Sequence, residues 1–278
     1  DQSAPEGLSS NGESVQYHIS DDASVVTAYT GTHPSDLAGE ENAPYNTVFT
    51  VTLSDVDSGS YSFNLLANLD HPTADTEDDI DLTFAFTATD ADGDTASSGF
   101  TVTVDDDAPV TGNQNELIRL DDDALDGGNA GGRGDNVDSA NTTGTLEHSY
   151  GADGQGSVLL LDSNAPAGFT YTLSGDKTVL TISQGVTAVL QVSLSDSTSG
   201  DYTVTQLAAI EHADDAGNRE NNIQFRVDYQ VTDSDGDTAN GRVNINVDDD
   251  TPVVSRNELI RLDDDALDGG NAGGRGDN

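Results

Sequence analysis

Two stretches of the chain carry closely spaced aspartates around a glycine: Asp90, Asp92 and Asp94 with Gly93, and Asp233, Asp235 and Asp237 with Gly236. In a D-x-D-G-D string the glycine lets the backbone turn tightly, so several carboxylate oxygens can be aimed at one point. Such an all-oxygen set suits Ca²⁺, which takes about six to eight oxygen ligands. Mg²⁺ keeps its waters, and Zn²⁺ would want His or Cys. The spacing differs from the D-x-D-x-D-G loop of helix–loop–helix calcium sites, so no such motif is expected. The string also reads as a plain hairpin turn.

A second acidic cluster is the triplet Asp105, Asp106, Asp107 ahead of Pro109, copied as Asp248, Asp249, Asp250 ahead of Pro252. Adjacent like charges repel by about 1 kcal/mol per pair even when well screened, and a bound cation removes that repulsion. A third lies in the 22-residue string Asn115–Asn136, which holds Asp121, Asp122, Asp123 and Asp135. It recurs unchanged at Asn257–Asn278 and brings Asp263, Asp264 and Asp265 with it. This segment is Gly-rich and too polar to pack alone, which makes it a candidate for a second metal site. Recent duplication explains the identity of the two copies as well as function does.

Composition narrows the classes. With 52 Asp and Glu against 9 Lys and Arg, the formal charge of -43 repels phosphate, which excludes nucleic acid as a partner. No apolar run is long enough for a membrane-spanning helix, so no direct membrane insertion is expected. The absence of cysteine removes disulfides, thiolate metal sites and thiol nucleophiles together. Carboxylate pairs for glycoside chemistry can be drawn almost anywhere among 52 acids, and neither a G-x-S-x-G elbow nor a phosphate loop is present, so no enzyme is expected.

The elements that must hold these acids are strands. Only 33% of residues are apolar, which together with the charge is the composition of a disordered chain, but the apolar residues alternate. Ile80, Leu82, Phe84, Phe86 and Ala88 do so, as do Phe100, Val102 and Val104, and Ile223, Phe225, Val227, Tyr229 and Val231. Shorter runs are Val15/Tyr17/Ile19, Phe49/Val51/Leu53, Phe169/Tyr171/Leu173 and Val243/Ile245/Val247, separated by Gly, Asp, Ser and Asn turns. Period two without helical spacing predicts an antiparallel all-β fold.

The chain also repeats itself outside the 22-residue string. Tyr61, Leu66 and His71 correspond to Tyr202, Leu207 and His212, and the D-x-D-G-D and D-D-D-x-P strings recur in the same order. Two tandem domains follow, residues 1–110 and 111–253, with 254–278 the start of a further unit of a longer array. Tyr61 and Tyr202 are expected to bury their rings, and His71 and His212 to cap or pack rather than ligate.

The strings LTFAFTATDADGDTASSGFTVTVDDDAP and FRVDYQVTDSDGDTANGRVNINVDDDTP resemble the bacterial immunoglobulin-like tandem repeats of giant RTX adhesins exported by type I secretion. SVLLLDSNAPAGFTYTLSGDKTVLTI and DYTVTQLAAIEHADDAG resemble the longer version of that repeat. The resemblance implies tandem immunoglobulin-like β-sandwiches set end to end in an extracellular, Ca²⁺-binding stalk on a Gram-negative cell. Its partners are the neighbouring repeats of the same polypeptide, in a chain expected to be monomeric. In such a sandwich the last hairpin's loop lies where the chain enters and the last strand ends at the opposite end. Asp233, Asp235 and Asp237 are then expected to face Asp105, Asp106 and Asp107, with Ca²⁺ between them. An alternative is a module that uses Ca²⁺ to grip a sugar or peptide, and another treats the acidity as general solubility in salt.

Overall fold

A computed structural model describes residues 3–32, 45–54, 59–73, 77–112, 117–129, 131, 134, 139–213, 220–252, 258–262, 267–270 and 273. The first part of the chain forms β1 (Ser9–Ser10), β2 (Glu13–Ser14), β3 (Gln16–Ile19), β4 (Val25–Gly31), β5 (Tyr45–Leu53), β6 (Tyr61–Leu65), β7 (Asp79–Thr89) and β8 (Thr95–Asp105). The second forms β9 (Val110–Thr111), β10 (Leu117–Asp121), β11 (Asn141–Thr145), β12 (His148–Ser149), β13 (Gln155–Leu160), β14 (Phe169–Leu173), β15 (Val179–Gln184), β16 (Thr187–Leu194), β17 (Asp201–Gln206), β18 (Asn222–Asp233) and β19 (Thr238–Asp248). The only helical element among the described residues is the 3₁₀ turn Asp122–Ala124, and no helix is long and apolar enough to cross a membrane. The all-β expectation therefore holds.

Buried side chains gather into two clusters. One runs from Leu8 to Val104 and includes Phe49, Leu69, Leu82 and Phe84; the other runs from Ile118 to Val247 and includes Leu160, Ile182, Leu190 and Phe225. The second cluster is shared by a four-stranded sheet, β10-β19-β18-β13, and a five-stranded sheet, β11-β17-β16-β15-β14. Alternation places each core residue: in β18 Phe225, Val227, Tyr229 and Val231 are buried, and in β19 Val243, Ile245 and Val247 are. β10 joins β19 as a parallel neighbour, Leu117 opposite Asn244 through Asp121 opposite Asp248.

The first unit is more open. β3-β4-β5-β6 forms one sheet, and among the described residues β7 and β8 pair only with each other. No described strand of this unit occupies the places that β10 and β13 take beside β19 and β18. The inner half of β7 buries Leu82 and Phe84, but Phe86, matching buried Tyr229, is 42% exposed. Tyr61 departs from expectation because no described strand of the first unit stands beside β6 as β11 stands beside β17. It is 47% exposed and stacks on Phe100 with centroids 3.9 Å apart, whereas Tyr202 lies buried against Gly144.

One irregularity recurs in both units and sets up the acidic sites. The registers β4–β5 and β15–β16 each slip by one residue, leaving Val48 and Val189 as extra residues on β5 and β16. Each bulge buries two consecutive side chains, Val48 with Phe49 and Val189 with Leu190. The freed carbonyl accepts from the chain leaving the next strand: Leu66 N and Ala67 N at Val48, Leu207 N and Ala208 N at Val189. That chain then buries Leu69 or Ile210 and delivers His71 or His212 to the acids.

Gly241 faces Tyr229 across the β18–β19 hairpin, and a Cβ there would lie 2.1 Å from the ring Cζ. The ring is fixed by its hydroxyl, which donates to the Glu147 carbonyl at 3.0 Å. Gly241→Ala is expected to destabilise the second unit by about 1–3 kcal/mol through overpacking, read as a lowered Tm in thermal melts. An unchanged Tm would contradict this account of the ring.

Candidate metal centres

The two D-x-D-G-D loops fold alike. Asp90 Oδ1 accepts from Gly93 N (3.1 Å) and Asp94 N (2.9 Å), and Asp233 Oδ1 from Gly236 N (3.1 Å) and Asp237 N (2.8 Å). Gly93 and Gly236 take φ of 97° and 116°, a region in which a side chain is strained. The surroundings differ. Asp90, Asp92 and Asp94 are exposed, with ligand oxygens within 4.8 Å of one another. The hydrogen-bonding contact with Asp92, and then the Asp94 amide, hold Asp90 below the usual carboxylate range. Asp233 and Asp237, in contrast, are 3% and 2% exposed.

Their neighbours come from the end of the first unit. β8 continues its alternation past Val104, so Asp105 and Asp107 face solvent while Asp106 turns inward. Asp106, Asp153 and Asp235 bring carboxylate oxygens within 4.8 Å of one another, Asp237 lies against Asp106, and His71 N donates to Asp235 Oδ2 at 3.3 Å. Asp107 reaches the second unit by accepting from Ala152 N at 2.6 Å, and a Cβ on Gly151 would lie 2.7 Å from its Oδ2. The structure thus brings the second D-x-D-G-D loop to Asp106, and it adds Asp153, which the sequence reading did not single out. Burial, with Asp235 next, raises Asp153 above the ordinary range. Burial pushes Asp106 up to about 6, with Asp237 adding and the Asp107 amide and His71 opposing. Asp233 is pushed up to about 7 by burial first and Asp235 next.

A second centre lies within the later unit. β10 ends at Asp121, whose side chain accepts from Asp123 N at 2.9 Å and so starts the 3₁₀ turn. Asp122 is buried; it accepts from Gln206 Nε2 and from Ile210 N at 2.9 Å, and lies 3.7 Å from His212 Nε2. Asp122, His212 and Asp249 offer ligand atoms within 4.8 Å of one another. Burial pushes Asp122 up to about 6, held back by the Ile210 amide and His212. Asp123 rises to about 7 through burial first, then Asp250, Asp121 and Glu220, all carboxylates. Asp250 also accepts from Asn129 N and Nδ2, and Asp248 is buried in register with Asp121. Asp135, Asp263, Asp264 and Asp265 lie outside the described residues.

His71 and His212 stand at equivalent places. His71 Nε2 is 3.9 Å from Asp106 and its Nδ1 3.8 Å from Asp78, while His212 Nδ1 is 3.0 Å from Asn221 Oδ1. Both are buried beside a carboxylate of the centre, a role the packing expectation for these histidines omits. Their repetition at equivalent positions was the available signal. Asp153 had no such signal, because the first unit has no described counterpart of the turn that carries it.

Without bound cation, Asp106, Asp122, Asp123 and Asp233 hold protons more tightly folded than unfolded, where aspartate titrates near about 3.9. Their contribution to stability is complete below about pH 4 and is lost as pH rises through about 6 to 7. Asp233→Asn keeps an oxygen for the two amides but removes the charge. In chelator, its Tm is therefore expected to gain on the parent between pH 4 and 7, by about 2–4 °C per kcal/mol of repulsion removed. A gap independent of pH would refute the assignment.

No curated protein matches the chain. One family model matches residues 101–246, more than half of it, from β8 through the Asp105–Asp107 triplet to β19. By that match the chain belongs to the family described as Domain of unknown function (DUF5801).

Proposed function

We propose that the chain is a calcium-stiffened stalk, or extender, segment of a secreted bacterial surface adhesin, structural rather than catalytic, which holds an adhesive tip away from the cell for attachment or biofilm formation. Its units are read as immunoglobulin-like β-sandwiches set end to end. Two sheets over one core, with β10 parallel on β19, support that reading for the second unit.

The observation that carries the proposal is the meeting of Asp106 with Asp153, Asp235 and Asp237. Asp106 Oδ2, Asp153 Oδ2, Asp233 Oδ2 and Asp235 Oδ1 are buried and accept no hydrogen bond. Buried carboxylates so placed must take up protons or a cation. The donor set is rich in oxygen and negative charge, which fits Ca²⁺. An ion that binds only the assembled junction stabilises it by about 2.7 kcal/mol at a hundredfold excess over its dissociation constant. Extracellular calcium fills weak sites of this kind, whereas cytoplasmic calcium leaves them empty. Metal binding and ordering are then coupled, so the chain stays pliable for type I export and stiffens outside, against neighbouring repeats of the same polypeptide.

Small-angle scattering and thermal melts of the full chain, in millimolar calcium and in chelator, test this. Chelation is expected to lower the Tm and to give a shorter, more variable two-unit particle. Identical profiles in both conditions would overturn the proposal.

A further inference from the structure

Three separate parts of the second unit converge on His212. Asp122 comes from the turn after β10, His212 from the chain that follows β17, and Asp249 from the exit of β19. One ligand atom from each lies within 4.8 Å of the other two. The side chains of His212 and Asp122 are both 2% exposed, with Nε2 and Oδ2 3.7 Å apart. That separation is too long for a hydrogen bond, and Nε2 is buried without a hydrogen-bond partner.

The Asn221 amide fixes which imidazole nitrogen carries the hydrogen. Its Nδ2 donates to the Ala213 carbonyl at 2.7 Å, so its Oδ1 is the atom turned toward His212 Nδ1, 3.0 Å away. An amide oxygen only accepts, so Nδ1 holds the hydrogen and Nε2 of the neutral ring keeps a lone pair. The lone pair faces two carboxylates, and all three repel one another unless something positive lies between them. Asp122 is held in place as firmly, accepting from Gln206 Nε2 and from Ile210 N at 2.9 Å. Asn221 also fixes Asp249, because its backbone carbonyl accepts from Asp249 N at 3.1 Å. A histidine whose far N–H is engaged and whose other nitrogen points at carboxylates is oriented as metal-binding histidines are.

We propose that His212 Nε2, Asp122 and Asp249 bind a divalent first-row transition ion in preference to Ca²⁺, with Zn²⁺ held more tightly than Mn²⁺. Calcium takes oxygen ligands, whereas an imidazole nitrogen beside carboxylates suits zinc and its neighbours. Zinc stands above manganese in affinity for such donors. His71, at the equivalent place in the first unit, is not prepared in this way. Its Nδ1 is buried 3.8 Å from Asp78 and makes no hydrogen bond, so neither ring nitrogen is committed as donor. The ion at His212 ties together the turn after β10, the chain after β17 and the end of β19. It is separate from the junction of Asp106, Asp153 and Asp235, so its failure would leave the calcium stalk reading untouched. The ligand role departs from the capping or packing role expected of His212 from the sequence.

Calorimetric titration of the full chain with Zn²⁺, in millimolar Ca²⁺ so that all-oxygen centres are already filled, tests the proposal. Zinc is expected to bind without displacement by the calcium and to raise the Tm. X-ray absorption of the bound zinc is expected to show imidazole nitrogen at about 2.0–2.1 Å together with oxygen. His212→Gln is expected to weaken zinc binding by about a hundredfold or more. Asn221→Ala keeps all three ligands and removes only the group that orients the ring, so a loss of about tenfold or more is expected. A cooperative melt in calcium shows that each variant folds, and Asn221→Ala carries the test if His212→Gln does not. Zinc displaced by millimolar calcium, or an absorption spectrum with oxygen neighbours alone, as adventitious binding to surface acids would give, would overturn the proposal. Zinc affinity unchanged in either folded variant would do the same.

Discussion

Carboxylates of like charge, taken out of water together, are the constraint on which the rest of this molecule turns. Asp106 of one unit meets Asp153, Asp235 and Asp237 of the next, and Asp122 and Asp123 meet Asp249 and Asp250 within the second unit. A surface rich in acid needs no such arrangement, since exposed acids keep their water. Asp22, Asp176 and Asp196 show the ordinary case: they sit in turns, accept hydrogen bonds from neighbouring Ser and Thr, and are held below the usual range. Asp106, Asp122, Asp123, Asp153 and Asp233 are shifted in the opposite sense by desolvation. The acidity therefore divides into a solvated part that hydrogen-bonds locally and a desolvated part concentrated at two places in the fold.

What the sequence disclosed follows from how local each feature is. Period-two alternation located β5, β7, β8, β14, β18 and β19, because inward and outward positions are set by the strand itself. The D-x-D-G-D loops were readable as loops that aim oxygens, since their hydrogen bonds lie within five residues and their glycines require positive φ. The bulges at Val48 and Val189 were not readable, because a bulge is a relation between two strands and adjacent apolar pairs occur without one. Asp153 escaped for a similar reason. Its importance comes from Asp106 and Asp235, far away along the chain, and not from its own neighbours. The exposure of Tyr61 and Phe86 was hidden too, since their repeat partners Tyr202 and Tyr229 are buried by strands that the first unit lacks among its described residues.

The repeated string gains a structural meaning once its first copy is seen in place. Leu117–Asp121 is an edge strand with alternating core residues, and Asp121–Ala124 turns the chain so that Asp122 reaches Gln206, Ile210 and His212. Gly128 packs where a Cβ would lie 2.2 Å from the Asp123 carbonyl, so the turn tolerates no larger residue there. One short segment thus closes a sheet, supplies acids to a centre and fixes the glycine that shapes it. Any position that accepts the strand also receives the acids.

The parallel ladder between β10 and β19 carries a mechanical consequence. β10 stands near the entrance of the second unit and β19 near its exit, and the two run in the same direction with five residue pairs in register. Tension applied along the polypeptide pulls one strand backward and the other forward. All five pairs are then loaded in shear at once, whereas a hairpin pulled at its open end peels one bond at a time. Resistance to extension is governed by the rate of that concerted rupture. The second unit is thus wired to bear load through its backbone.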